Sequence, residues 1–206
     1  MRSILYSRRR HRFADMYTGD ESYVFYFTPP KRAWVQGSEK APQWPSHMQQ
    51  DKKLMLTVFW SARKVCLIYW TPLGERMNAA MFTDEILKEL NRIVKKDSKT
   101  ALDPTWIHYD NARVYTAKYT TKFLEKSVFC RMPQPSYSPD IVPSDFFLFG
   151  RLKQMLQGSK FEEEEGLKNA VESILASLQP IQLLDAFEGW IDRLTQVINS
   201  KEEFVE

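Results

Sequence analysis

Between Thr105 and Met132 the chain passes from β to α and back to β. TWIHYD (105–110) reads as a strand, helical spacing covers 116–126, and VFCRM (128–132) reads as a second strand. Two strands joined through a helix run parallel, because the crossover returns the chain to the same edge pointing the same way. Upstream, KLMLTVFW (53–60) and KVCLIYW (64–70) are separated only by Ser61, Ala62 and Arg63, which suits an antiparallel hairpin. Parallel and antiparallel pairings in one chain of this length point to a mixed-sheet α/β domain with helices packed on it.

The remaining elements fit that frame. SYVFYF (22–27) reads as a strand ended by Thr28-Pro29-Pro30, and Ala33-Trp34-Val35 as a short second one. Residues 36–51 carry two prolines, a glycine and no apolar period, so they read as a long loop. Apolar residues keep helical spacing over 78–96, and again over 143–156, 163–178 and 181–199, with Gly158 and Pro180 as separators. Glycine is scarce, and nothing matches GxGxxG or GxxxxGK[ST]; dinucleotide and P-loop readings have no support.

Cys66 and Cys130 form no metal-type cluster and sit in apolar runs, so they read as buried free thiols of a reducing, intracellular compartment. No apolar run approaches the roughly 18 residues of a membrane span, and MRSILYSRRRHRF lacks a signal-peptide core. Net charge is only +3, but Arg2, Arg8, Arg9, Arg10 and Arg12 crowd the start. That cluster is either a solvated tail or a set of phosphate contacts.

Three aspartates stand at element boundaries: Asp20 before the first strand, Asp110 after TWIHY, and Asp145 in the first turn of a helix opened by Pro143. Carboxylates drawn from distant elements are what a pair of divalent cations needs to act on a phosphodiester, and Mg²⁺ takes such oxygen ligands. Asp145 equally suits simple compensation of the helix dipole, and Asp140 beside Pro139 a turn.

Taken in order, TGDES (18–22), the strand pair at 52–70, HYDNAR (108–113), YSPDIVPSDFFLF (137–149), QGSKF (157–161) and KEEFVE (201–206) resemble the catalytic domain of a mariner-type transposase, in the DDE/D superfamily. The 34 residues from Asn111 to Ser144 match the spacing of the three-aspartate type. The resemblance implies an RNase H-like α/β fold, a mixed sheet flanked by helices, with a clamp-type loop insertion at 36–51. On this basis residues 1–19 form a basic leading segment and 20–206 the catalytic domain. It further implies that Asp20, Asp110 and Asp145 hold two Mg²⁺ or Mn²⁺ ions for strand nicking by activated water and strand transfer by a 3′-hydroxyl. Glu21, Asn111 and His108 would support those ligands from behind, and Arg8, Arg9, Arg10, Arg12, Lys31, Arg32 and Arg113 would face DNA. Transposon ends, a TA target, a homodimer and a nuclear location belong to the same expectation.

The chain departs from the family pattern at several places. Tyr109, Val114 and Tyr115 stand where the motif usually has His, Pro and His; Tyr23 replaces a tryptophan, and Ser61 an aspartate. Nothing before Asp20 matches the family's helix-turn-helix modules. The competing expectation is therefore a catalytically silent, domesticated or remnant module for DNA binding or dimerisation. An RNase H-like nuclease acting on RNA–DNA hybrids would share the fold but not the PSD pattern.

Overall fold

Five strands, β1 (Met16–Phe25), β2 (Lys53–Ser61), β3 (Val65–Trp70), β4 (Thr105–His108) and β5 (Phe129–Arg131), lie in one sheet in the order β3-β2-β1-β4-β5. The structure is a computed structural model and describes residues 1–30, 52–97, 105–135 and 139–199. The strand expected at 33–35, the clamp-type loop at 36–51, Lys31, Arg32 and the closing KEEFVE lie outside them. Among the described residues no helix is long and apolar enough to cross a membrane.

The expected hairpin is present, with β2 antiparallel to both β1 and β3. The expected crossover is present too: β1, β4 and β5 run parallel, joined from β4 to β5 through α4 (Arg113–Thr116) and α5 (Lys118–Leu124). Helix α2 (Ala79–Met81) continues through a π-helical stretch, Phe82–Leu87, into α3 (Lys88–Asp97). Asn78 caps this run, its side chain accepting from Met81 N–H. A second π-helical stretch, Ser144–Phe149, leads into α6 (Gly150–Met155), followed by α7 (Glu164–Ala176) and α8 (Pro180–Asn199).

Alternation along the strands divides the core in two. Met16, Leu56, Val58 and Trp60 face one layer with Leu148, Leu152, Val171, Phe187 and Trp190 from the C-terminal helices. Phe59, Ile107, Tyr109 and Phe129 face the other, against Phe82, Ile86, Leu90 and Tyr115. Cys130 falls on the outward side of the edge strand β5 and is exposed, whereas Cys66 is half-buried; neither is the buried thiol expected from its apolar neighbours.

The strand expected at 22–27 begins instead at Met16, so TGDES lies within β1 rather than ahead of it. A glycine beside an aspartate, Gly19-Asp20, is a pairing that elsewhere favours a turn. Here the glycine makes room: it pairs with Phe59, and a Cβ added at position 19 would meet that ring far inside van der Waals distance. Gly19→Ala is expected to destabilise the fold by about 1–3 kcal/mol through overpacking, read as a lower urea midpoint.

The domain start expected at Asp20 also falls inside β1. Residues Arg2–Arg9 form helix α1, and its Leu5 is fully buried, as is Phe13 in the turn beyond it, where the ring packs 5.5 Å from Phe187. Arg8 pairs with the buried Asp15 at 2.8 Å, and Arg9 with Glu188 at 2.7 Å. Burial raises the Asp15 carboxyl above its ordinary range, while Arg8, His11 and Arg63 pull it down. Arg8→Met leaves that carboxylate buried and unpaired, so a loss of about 3–5 kcal/mol is expected near neutral pH. Protonation of a group whose folded pKa lies above its unfolded value favours the fold, so this loss should shrink as the pH falls. Urea midpoints at pH 7.5 and pH 5 measure both effects.

Candidate active site

Strand pairing places the first two aspartates. Thr18 and His108 are the last register partners of the parallel strands β1 and β4; β1 runs on two residues to Asp20, whereas β4 ends at His108 and the chain reaches Asp110 two residues beyond it. A period of two keeps Asp20 on the sheet face of Thr18, the face covered by the C-terminal helices. On its other side Asp20 is paired with Val58 of β2. Asp110 leaves the end of β4 in a turn in which its Oδ1 accepts Ala112 N–H at 2.9 Å.

Asp145 comes from the helix that packs over this face. Pro143 precedes the π-helical stretch and Asp145 sits in its first turn, as the sequence suggested. Leu148, Phe149 and Leu152 bury the far side of the helix, so Asp145 is held at the exposed rim. The residue before it is tied to the sheet: Trp60 Nε1–H donates to Ser144 Oγ at 3.1 Å, both residues being fully buried. Asp140 has the separate, structural place expected of it, in a short turn whose backbone carbonyl accepts from Arg193 of α8.

Electrostatics ties the three together. The Asp20 carboxyl is pushed up to about 8, first by burial and then by the negative charges of Glu21, Asp145 and Asp110, against a bond from Glu21 N–H to Asp20 Oδ1 at 2.8 Å. Asp145 is raised by lost hydration and by Asp110, while Lys153 opposes the shift. The cluster is open: among the described residues, no three His, Cys, Asp or Glu side chains converge tightly enough to form a metal cage. Hard carboxylate oxygens that repel one another are nevertheless the donor set a small divalent cation prefers. The residues present fit such an ion by chemistry and by field.

The supporting residues fall in different places. Glu21 follows Asp20 and so turns to the opposite sheet face, where it meets the hydroxyl of Tyr115. Burial holds the Glu21 carboxyl up at about 7, and the Tyr115 hydroxyl is raised well above its ordinary range by burial and by Glu21. Tyr115 thus uses the position of an expected histidine to engage the acid next to Asp20. His108 is completely buried, its ring 4.7 Å from Trp190, and burial lowers its pKa to about 4. Asn111 bonds to the carbonyl of Gln134 at 2.6 Å.

Of the cations expected at DNA, Arg8 and Arg9 are engaged in the ion pairs already described, Arg10, Arg12 and Arg113 are exposed, and Lys31 and Arg32 lie outside the described residues. Sequence reasoning missed Thr18, Trp60, Arg131, Gln134 and Ser144. Of these, Thr18, which opens TGDES, and Ser144, inside PSD next to Asp145, stood in quoted motifs where they could have been singled out.

The chain matches the model of the family described as Transposase (partial DDE domain) over residues 29–102. It is 29% identical over 165 residues to the Mariner Mos1 transposase of Drosophila mauritiana, covering 78% of this chain and 47% of that protein. It is 27% identical over 180 residues to the human histone-lysine N-methyltransferase SETMAR, covering 85% of this chain and 26% of the other. The chain thus spans about half of one relative's length and about a quarter of the other's. The crystal structure of the Mos1 mariner paired end complex with Mn superposes with a TM-score of 0.85 at 25% identity, over 99% of this chain and 61% of that one. Five strands in mixed order, helices on both faces and this sequence similarity lead to one conclusion: the chain has an RNase H-like fold and is similar, in sequence and in structure, to the catalytic domain of mariner-type transposases.

Proposed function

We propose that this domain carries out metal-dependent phosphoryl transfer on DNA, nicking a strand with water and joining a 3′-hydroxyl to a target, with Asp20, Asp110 and Asp145 as the metal ligands. The observation that supports the reading is the register of β1 on β4, whose last pair, Thr18 and His108, stands two residues before Asp20 on one side and two residues before Asp110, past the end of β4, on the other. Mos1 has been solved as a paired end complex with Mn, and Mn²⁺ or Mg²⁺ is the cofactor that this donor set suits. When bound, two such cations supply activation of the attacking oxygen and charge stabilisation at the leaving oxygen.

The chain's own residues supply position and field. The parallel pairing brings the chain at Thr18 beside His108, two residues ahead of Asp20 and of Asp110, the Trp60–Ser144 bond ties down the start of the Asp145 helix, and Lys153 offsets negative charge at the rim. Arg113, Lys118, Lys122 and Lys126 are exposed along α4, α5 and the turn after them, immediately downstream of Asp110. They make a basic bank along which a DNA backbone can lie. Reversing Lys118 and Lys122 to Glu should weaken duplex binding and flatten the plot of log affinity against log salt by about 2, near 0.9 per lost phosphate contact. Fluorescence anisotropy across a salt series reads this directly, and an unchanged slope would remove the bank from the DNA path.

Transposon ends, a TA target, a homodimer and a nuclear location are carried forward with this reading. The direct test is cleavage of a pre-nicked duplex by the folded protein in Mn²⁺. No cleavage above an EDTA control would falsify the catalytic reading.

A further inference from the structure

Asp110 lies beyond the last paired residue of β4, so its place must be held by something other than the sheet ladder. The holding groups come from the exit of β5. Arg131 donates from Nη2 to the Asp110 carbonyl and to Asn111 Oδ1, both at 2.8 Å, and its guanidinium lies 4.7 Å over the Tyr109 ring. Three residues on, the Gln134 carbonyl accepts Asn111 Nδ2–H at 2.6 Å, and Gln134 Oε1 lies 2.5 Å from His108 Nε2. A carboxamide oxygen only accepts, so Nε2 carries the proton, and Nδ1 is left to accept from the Thr18 hydroxyl at 2.9 Å. Thr18 stands two residues before Asp20 on β1. An unbroken line of hydrogen bonds therefore joins the strand of one proposed ligand to the turn of the other, through a segment that carries no acid of the site.

We propose that Arg131 and Gln134 are positioning residues, which with His108 form a clasp that sets where the Asp110 carboxylate stands relative to Asp20. The inference rests on the reading of these aspartates as metal ligands. Its parts suit the task. Arg131 is a planar fork pinned by a ring on one side and two acceptors on the other, a geometry that lysine cannot copy with the same charge. The imidazole is sealed beneath Trp190 and joined at both nitrogens, so it acts as a strut of fixed length between two elements. Groups that orient ligands without touching the metal typically govern about 10–100-fold in metal affinity.

The test is Mn²⁺ binding to the full chain, followed by the electron paramagnetic resonance signal of free Mn²⁺, beside melting temperatures in EDTA. The variants are Arg131→Lys, Arg131→Met and Gln134→Ala; both positions are only half-buried, and Gln134→Ala removes no charge. All three should fold, and each should bind Mn²⁺ about 10–100-fold more weakly than the wild type. Wild-type affinity in Gln134→Ala and Arg131→Lys overturns the proposal. Loss in Arg131→Met with retention in Arg131→Lys also overturns it, because charge alone would then explain the effect. A lower melting temperature in EDTA with unchanged affinity marks a merely structural clasp and counts against it equally. A wild-type chain that binds no Mn²⁺ refutes the ligand reading itself, and this inference with it.

Discussion

Asp110→Asn should abolish Mn²⁺-dependent DNA cleavage and, in the same variant, the rise in melting temperature that Mn²⁺ or Mg²⁺ confers on the wild type. The expectation follows from the field at the site. The Asp20 carboxyl is raised in part by the charges of Asp145 and Asp110, so the folded chain carries a repulsion that a bound dication relieves. A cation at 100 times its dissociation constant stabilises a fold by about 2.7 kcal/mol. For a domain of this size that is a rise of about 5–10 °C. Asparagine keeps the shape, and its carbonyl oxygen can still accept the Ala112 N–H that closes the turn, so the EDTA melting temperature should stay near that of the wild type. Cleavage should fall by more than the roughly 100-fold that marks the loss of an outer, orienting group. A variant that keeps the full metal-induced shift would separate Asp110 from the metal.

Trp60→Ala should be the most damaging single truncation in the core, lowering stability by about 3–5 kcal/mol. The ring has no solvent exposure and sits 5.7 Å from Phe147 and 5.3 Å edge-on from Phe187, so its removal empties the layer between β2 and two helices. It also takes away the donor that Ser144 accepts, a buried bond next to Asp145. Trp60→Phe separates the two effects. It keeps most of the volume and should cost about 1–3 kcal/mol for the unmet hydroxyl, while loosening the Asp145 helix. Chemical denaturation of both variants, with Mn²⁺ binding measured alongside, distinguishes cavity from tether. A loss below about 1 kcal/mol in Trp60→Ala would contradict the packing described.

The two pairing modes of the sheet were legible because they depend on connection length, a local property. The segment 61–63 is too short for anything but a hairpin, and the stretch from β4 to β5 is long enough to hold a crossover helix. The start of β1 was not legible. Gly19 signals a turn to any local reading, and its real cause is Phe59, forty residues away in sequence. The N-terminal arginines misled for a similar reason, since Asp15 and Glu188 become visible as partners only when α1 docks. At the candidate site the three aspartates, and His108 and Asn111 beside them, were marked by motif and spacing, but the partners that hold these residues were not. Arg131 ends a strand and Gln134 lies between Pro133 and Pro135, a setting that marks a loop but names no partner, and their roles arise wholly from bonds across the sheet. The histidine's place beneath Trp190 and its two partners were equally absent from any local pattern.

The parallel seam between β1 and β4 has a consequence for how the chain matures. The Thr18–His108 contact closes a loop of 90 residues, whereas the β2–β3 hairpin closes over three. Contacts that distant form slowly, because the entropy of closure must be met before they return anything. On a ribosome the hairpin can form early, but the seam must wait for β4, and Asp145 emerges 35 positions after Asp110. A chain stopped anywhere before that point is left with at most two of the proposed ligands and an unsealed sheet edge. The order of synthesis thus delays assembly of the proposed metal site until Asp145 and the helix that carries it have emerged.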